Sequence, residues 1–368
     1  MAITRGPKIV RNGLVLALDA ADRNSLPLSN LILNPSTASS YSANQNVTIS
    51  QDGQYVKTVS NQAASTPGAW PIGGIITVES NTTYLFGIKA KRVSTPTPNF
   101  YITNGSNTQI LYTISTLTSS TSYTWSYITF NSGANTSVKV GFLWSGPQIG
   151  SELSVETVIL TKFNTWNDLS GNLDNGVLTN SPNFNNDNGG SIVFDGVDDN
   201  INVAPTNFNL STFSINLWFK TNDITTNYLR LIHKADTTGA TKGFLIANSA
   251  IDGKLCFVYQ PNYITGEILK RSTTIITTST WYNVVMTYNS SDGIAIYFNG
   301  NLDSGETSTS PDVGWVSSTG NLFSIGSRAG GGVGFFNGNI ANVCIYDRAL
   351  TASEVLQNYN TQKSRFGL

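Results

Sequence analysis

The chain has 368 residues, a formal net charge of −1 and only 12% charged residues. It shows no Lys/Arg cluster of the kind that phosphate binding needs, so nucleic acid is not an expected partner. Its apolar share of 39% and aromatic share of 11% are enough to build packed cores, while Gly, Ser, Thr and Asn supply turns, so many short strands are expected.

In chain order, residues 13–19 read as an apolar strand. The stretch before it carries Arg5, Lys8 and Arg11 with no apolar segment of leader type, so no secretory signal is expected. Apolar runs of this length are far too short to cross a bilayer, and membrane insertion is not expected. Residues 30–162 are rich in Ser and Thr and poor in acids. Strands are predicted there at 83–91, 100–103, 123–130, 138–144 and 155–161, with a stiff loop at Thr95-Pro96-Thr97-Pro98. This stretch is long enough for a sandwich of its own.

Beyond residue 190 the period-two pattern is clearest. Phe213, Ile215, Leu217 and Phe219 fall on one face of a strand, with Ser214, Asn216, Trp218 and Lys220 on the face expected to be wet. Further strands are predicted at 228–234, 243–247, 254–260, 281–288 and 294–298. Asn299-Gly300 marks a two-residue hairpin turn. Thr351-Ala352-Ser353-Glu354 has the form of a capping box, and Val355, Leu356 and Tyr359 follow at helical spacing. One short helix is therefore expected there, as a plug across one end of the sandwich.

Several blocks occur in a fixed order: Phe194-Asp195-Gly196-Val197-Asp198-Asp199, Phe213 to Phe219, Trp281-Tyr282-Asn283-Val284-Val285, Tyr297-Phe298-Asn299-Gly300, Phe336-Asn337-Gly338-Asn339, and Ile345-Tyr346-Asp347-Arg348-Ala349-Leu350. Together they resemble the concanavalin A-like, laminin-G-like jelly rolls. Gly13 to Asp22 and Trp166-Asn167-Asp168-Leu169-Ser170-Gly171-Asn172 resemble one opening block of the phage versions of this domain, where the two pieces usually lie close in sequence. The expected fold is all-β: a jelly roll made of residues 1–29 and 163–368, a second β-sandwich at 30–162 inserted near its N-terminus, and one short C-terminal helix. The insert is similar to carbohydrate-binding-module-like sandwiches, on Asn30 to Pro35, Tyr84 to Lys91 and the segment from Trp144. Residues 359–368 resemble the ends of phage structural proteins.

What the resemblance implies is a non-enzymatic bacteriophage virion protein, a capsid decoration or a tail or fibre appendage, assembled in the host cytoplasm. Its implied partners are other virion proteins, copies of itself and a host-surface glycan. A lectin or adhesin outside a virion is the alternative, followed by a polysaccharide-degrading enzyme. Glycosidases need two carboxylates about 5–9 Å apart. Glu152 and Glu156, at i and i+4, would lie about 13 Å apart on a strand and read as solvated edge charges. His233, the single histidine, reads as a core or edge residue. The glycine run at 330–334 lacks the Lys-Ser/Thr of a phosphate cradle. Cys256 and Cys344 read as small buried residues rather than a bridge or a zinc site.

Two kinds of binding residue stand out. Trp70, Trp125 and Trp144 in the insert, and Trp218 and Trp315 in the jelly roll, are candidate sugar-stacking rings, each also compatible with a core or a subunit contact. Asp195, Asp198 and Asp199 form a dense oxygen cluster that suits Ca²⁺, which relatives of this fold often hold at the sandwich rim. An Asp/Gly turn without metal is the plainer reading.

Overall fold

A computed structural model describes residues 8–27, 29–32, 35–44, 47–60, 68–92, 98–107, 110–114, 122–144, 149–204, 211–226, 228–235, 243–248, 252–260, 268–303, 305–307, 322–329 and 333–368. The chain divides into two compact units: Met1–Leu26 with Thr165–Leu368, and Pro27–Asn164. Both are built from antiparallel sheets, and the described residues contain one α-helix, Ala352–Gln362. The glycine run at 330–334 and the Thr95-Pro96-Thr97-Pro98 loop fall largely outside the described residues.

In the first unit, Phe213–Thr221 lies between Asn337–Tyr346 and Trp281–Asn289 in an eight-stranded sheet. Asn337–Tyr346 is long enough, at ten residues, to pair also with Leu14–Asp19 and Ser191–Asp195. A nine-stranded sheet forms the second layer, running from Thr165–Trp166 to Glu306–Thr307. The alternation decides the core: Phe213, Ile215, Leu217 and Phe219 are all buried. Phe213 stacks on Phe244 of the second sheet at 5.1 Å and meets Tyr259 at 5.3 Å. Asn299 and Gly300 both take positive φ, +48° and +79°, the backbone that a two-residue hairpin requires.

The two opening pieces meet through a small hydrogen-bond clasp. Asp168 Oδ1 accepts from the Ala17 and Ser170 amides, both at 2.9 Å, and its other oxygen accepts from the Ser170 hydroxyl at 2.6 Å. The Leu169 amide donates to the Ala17 carbonyl, and the Asn167 amide to that of Ser25 at 2.7 Å. The Asn167 side chain donates to the Leu26 carbonyl at 2.8 Å. The chain therefore leaves this unit at residue 26 and re-enters it at 165 at nearly the same place.

The face of Phe213–Thr221 expected to be wet is dry. Ser214, Asn216 and Trp218 are 0%, 2% and 0% exposed. Trp218 lies parallel to Phe366 at 4.1 Å and to Tyr359 at 5.7 Å. Val355 and Leu350 pack with Ala17, Val285 and Tyr346. The C-terminal helix thus covers the outer face of the eight-stranded sheet and is not an end plug. Its capping box is formed: the Thr351 hydroxyl accepts from the Glu354 amide, and the Glu354 carboxylate accepts from the Thr351 amide.

The second unit has two five-stranded sheets. One orders Val47–Asp52, Tyr55–Ser60, Glu152–Lys162, Thr83–Arg92 and Thr124–Asn131; the other has Ser137–Leu143 at its centre. Tyr84, Phe86, Phe100, Phe142 and Trp144 fill the space between them. Glu152 and Glu156 lie on a central strand rather than an edge, and each is held by a lysine of a neighbouring strand: Lys57 at 2.9 Å and Lys89 at 2.6 Å.

Candidate functional site

The structure sorts the five tryptophans by what lies over them. Trp144 continues the inward alternation of Val138, Val140 and Phe142, is 1% exposed and meets Phe142 edge-on at 5.4 Å. It is a core residue of the insert and offers no ring face to a sugar. Trp218 is sealed beneath the C-terminal segment, which removes it as a stacking platform too. Both corrections have one cause: period two tells which side chains share a face, not whether another element covers that face. Trp315 lies outside the described residues.

Trp70 and Trp125 are half-buried on outer faces of the insert's two sheets. Trp70 stands edge-on to Tyr101 at 6.2 Å and lies against Gly141, where a Cβ would come within 2.8 Å of the indole. Trp125 belongs to a richer surface. Tyr123, just before the strand Thr124–Asn131, and Trp125 and Tyr127 within it alternate with Ser126 and Ile128, which are buried. The Trp125 and Tyr127 rings are parallel within 11° at 5.1 Å, and Tyr123 lies parallel to Tyr55 at 4.3 Å.

Gly87, opposite Tyr127 on the neighbouring strand, makes this arrangement possible. A Cβ there would sit 2.6 Å from the Tyr127 ring and 2.9 Å from Ile159, so only glycine lets the ring lie across the sheet. Polar groups border the rings. The Tyr123 hydroxyl hydrogen-bonds Ser154 Oγ at 2.8 Å, Lys91 Nζ sits 5.4 Å from the Tyr123 centroid, and the Lys89–Glu156 and Lys57–Glu152 pairs run alongside. Burial pushes the Tyr123 phenol above its ordinary pKa. Aromatic faces with amphoteric neighbours are the chemistry of sugar recognition: C–H faces on rings, hydroxyls on charged and hydroxylic groups. Sequence reading singled out Trp125 alone. Tyr123 and Tyr127 were visible at the same spacing, whereas Tyr55, Lys57 and Lys89 arrive from other strands.

The acidic cluster lies in the first unit, in the turn between Ser191–Asp195 and Asn200–Val203. Carboxylate oxygens of Asp195, Asp198 and Asp199 all fall within 4.8 Å of one another. A cation with Ca–O distances of about 2.3–2.6 Å can bridge oxygens at such separations. Asp195 Oδ1 is engaged by the Val197 amide at 2.8 Å, and Asp199 Oδ2 by the Asp195 amide at 3.0 Å, which leaves the second oxygen of each for a ligand. Asp199 is 3% exposed, and burial, joined by the charges of Asp195 and Asp198, raises its pKa to about 7. Asn200, 5% exposed, keeps an Oδ1 with no partner among the described residues. A hard, oxygen-seeking cation fits this donor set; Asp195, Asp198 and Asp199 would hold it, and its charge would relieve the repulsion among them.

His233 is buried and accepts from the Ala329 amide through Nδ1 at 2.7 Å. Burial and the nearby Arg230 and Arg328 charges depress its pKa to about 3, so it is a neutral core group.

Residues 195–356 match the family model of the concanavalin A-like lectin/glucanases superfamily. No curated protein matches the chain. Among solved structures, it is similar to domain 4 of a GH43 extracellular arabinanase from Geobacillus stearothermophilus, in complex with arabinotriose, at 20% identity and TM-score 0.41, covering 52% of this chain and 92% of that one. It is also similar to the receptor-binding domain of botulinum neurotoxin type G, at 19% identity and TM-score 0.36, covering 53% and 48%, so that the match spans about half of the neurotoxin domain. A third is a heptameric pentraxin from Limulus polyphemus, at 20% identity and TM-score 0.34, covering 45% and 79%. At these identities the likeness is one of fold.

Proposed function

From a concanavalin A-like domain in residues 195–356, carried on a chain with a second β-sandwich, we propose a non-enzymatic glycan-binding protein whose sugar platform is the Tyr123–Trp125–Tyr127 ridge of the second sandwich. The observation that carries this is the Gly87 recess, which lays aromatic rings on an outer sheet face beside Lys89, Glu156 and Ser154. The carboxylates nearest the rings are each engaged by a lysine, which suits a charged hydrogen-bonding rim and not a proton donor. Calcium at Asp195, Asp198 and Asp199 belongs to the same proposal, as a stabiliser of the rim turn.

We place this activity in a bacteriophage particle, as a capsid decoration or a tail or fibre appendage assembled in the host cytoplasm. There copies of the chain and other virion proteins would present the ridge to the host-surface glycan. The support is the block order from Gly13 to Asp22, Trp166 to Asn172 and onward, which resembles phage jelly rolls.

Glycan arrays followed by calorimetry with Trp125→Ala test the site. Wild-type protein should bind a host polysaccharide, and the variant should lose at least tenfold in affinity with its melting temperature unchanged. No binding by the wild type, or equal binding by the variant, would overturn the proposal. Mass spectrometry of purified particles tests the location, and absence of the chain from virions would end the virion assignment.

A further inference from the structure

A recessed site lies wholly within the first unit. A cavity of about 420 Å³ opens between the segment around residues 8–22, the outer face of Asn337–Tyr346 and the C-terminal helix. That volume falls in the range of small-molecule sites, about 300–1,000 Å³. The apolar part of its wall is formed by Ile9, Leu14, Leu18 and Leu169.

The floor holds an unmet polar demand. Asn342, 1% exposed, lines the cavity and donates through Nδ2 to Gln362 Oε1 at 3.0 Å, while its Oδ1 finds no partner among the described residues. Turning both amides over moves the deficit to Nδ2 without removing it, since Gln362 offers only one complementary group at a time. A buried amide atom left unpaired is costly, so the site favours an occupant that can complete it. A hydroxyl, both donor and acceptor, serves either orientation.

The mouth adds charge. Of the cavity's charged residues, Arg365 is tied to Asp19 at 2.8 Å and to two backbone carbonyls, and Asp22 caps a turn through the Asn24 amide. Lys8 and Arg11 are exposed and make no ion pair among the described residues. With Arg365 offset by Asp19, Lys8 and Arg11 outnumber the Asp22 carboxylate, and the net charge at the opening is positive.

We infer that this cavity binds a small amphipathic carboxylate: its anionic head at Lys8 and Arg11, its apolar body between Ile9 and Leu169, and a hydroxyl on that body at the Asn342 amide. The occupant is a small organic acid rather than a polysaccharide, because the lining includes an aliphatic wall and no aromatic ring on which a sugar could stack.

Titration calorimetry with 8-hydroxyoctanoate, octanoate and octane-1,8-diol tests this on the full chain. The hydroxy acid should bind saturably, at least fivefold more tightly than octanoate and at least tenfold more tightly than the diol. Lys8→Ala/Arg11→Ala should weaken it about tenfold. Ala21→Trp, whose side chain enters the mouth while its amide still bonds Asp19, should abolish binding with no change in melting temperature. No saturable binding by the wild type, equal affinity for the three probes, or binding that survives Ala21→Trp overturns the inference. Binding of the hydroxy acid that persists in Trp125→Ala separates this site from the ridge.

Discussion

Asp199 converts the acidic turn into a measurable quantity. Its pKa rises from an ordinary 3.8 to about 7, first through burial and then through Asp195 and Asp198. The folded state therefore holds a proton that the unfolded chain has released, and stability declines as pH climbs from about 4 through 7. About 3 pK units at 1.36 kcal/mol each set an upper limit near 4 kcal/mol. Asp195 and Asp198 face solvent, and with that screening about 2 kcal/mol survives. Asp199→Asn keeps an oxygen for the Asp195 amide but carries no charge. In chelator at pH 7.5 it should raise the melting temperature of this unit by about 4–8 °C, at about 2–4 °C per kcal/mol for a unit of this size. It should also flatten the pH dependence between 4 and 7. Calcium should stabilise the wild type increasingly from pH 5 to 8, as metal and proton compete for the same carboxyl, and leave the variant unmoved. Differential scanning calorimetry reads all three. If Asp199→Asn melts lower than the wild type in chelator, the desolvation argument is wrong; if calcium moves neither protein, the turn is not a calcium site.

Three further outcomes follow from buried groups. Trp218→Ala should cost about 3–5 kcal/mol in urea denaturation, because it removes the ring that Phe366 and Tyr359 cover; a loss under 1 kcal/mol would mean the C-terminal segment does not hold that face. Asp168→Ala leaves the Ala17 and Ser170 amides without their acceptor and should cost about 2–4 kcal/mol, read by the same denaturation; a neutral result would show the clasp to be dispensable. His233 stays neutral down to about pH 3 in the fold while the unfolded chain protonates near 6.5, so stability falls as pH drops through that window. His233→Gln should flatten this acid limb, and an unchanged limb would assign it to other groups.

The strands with strong alternation were legible in the sequence. Lys254–Gln260 matches the expectation at both ends, and Phe213–Thr221, Trp281–Asn289 and Glu152–Lys162 differ from it by a few residues. Short strands such as Gly176–Thr179 and Asn183–Asn185 carry too few residues to show a period, and Ile268–Ile275 is broken by Lys270, Arg271 and Ser272. The capping box announced the helix but not its seat, because what it covers is set by Trp218, Ala17 and Val285, far away in sequence. The ridge was half visible for the same reason. Tyr123, Trp125 and Tyr127 follow one another at period two, while Gly87 and Lys89 meet Tyr127 and Trp125 only through cross-strand register.

The Asp168 clasp bears on modularity. Because Leu26, just past the 3-10 turn Arg23–Ser25, and the return at Asn167 are bonded to each other, this unit presents the two cut ends as a ready socket. A passenger needs only neighbouring termini to be seated there, and the host closes its own sheet whatever the passenger's sequence. Exchange of the 27–164 module would then leave the sheet that carries it unchanged.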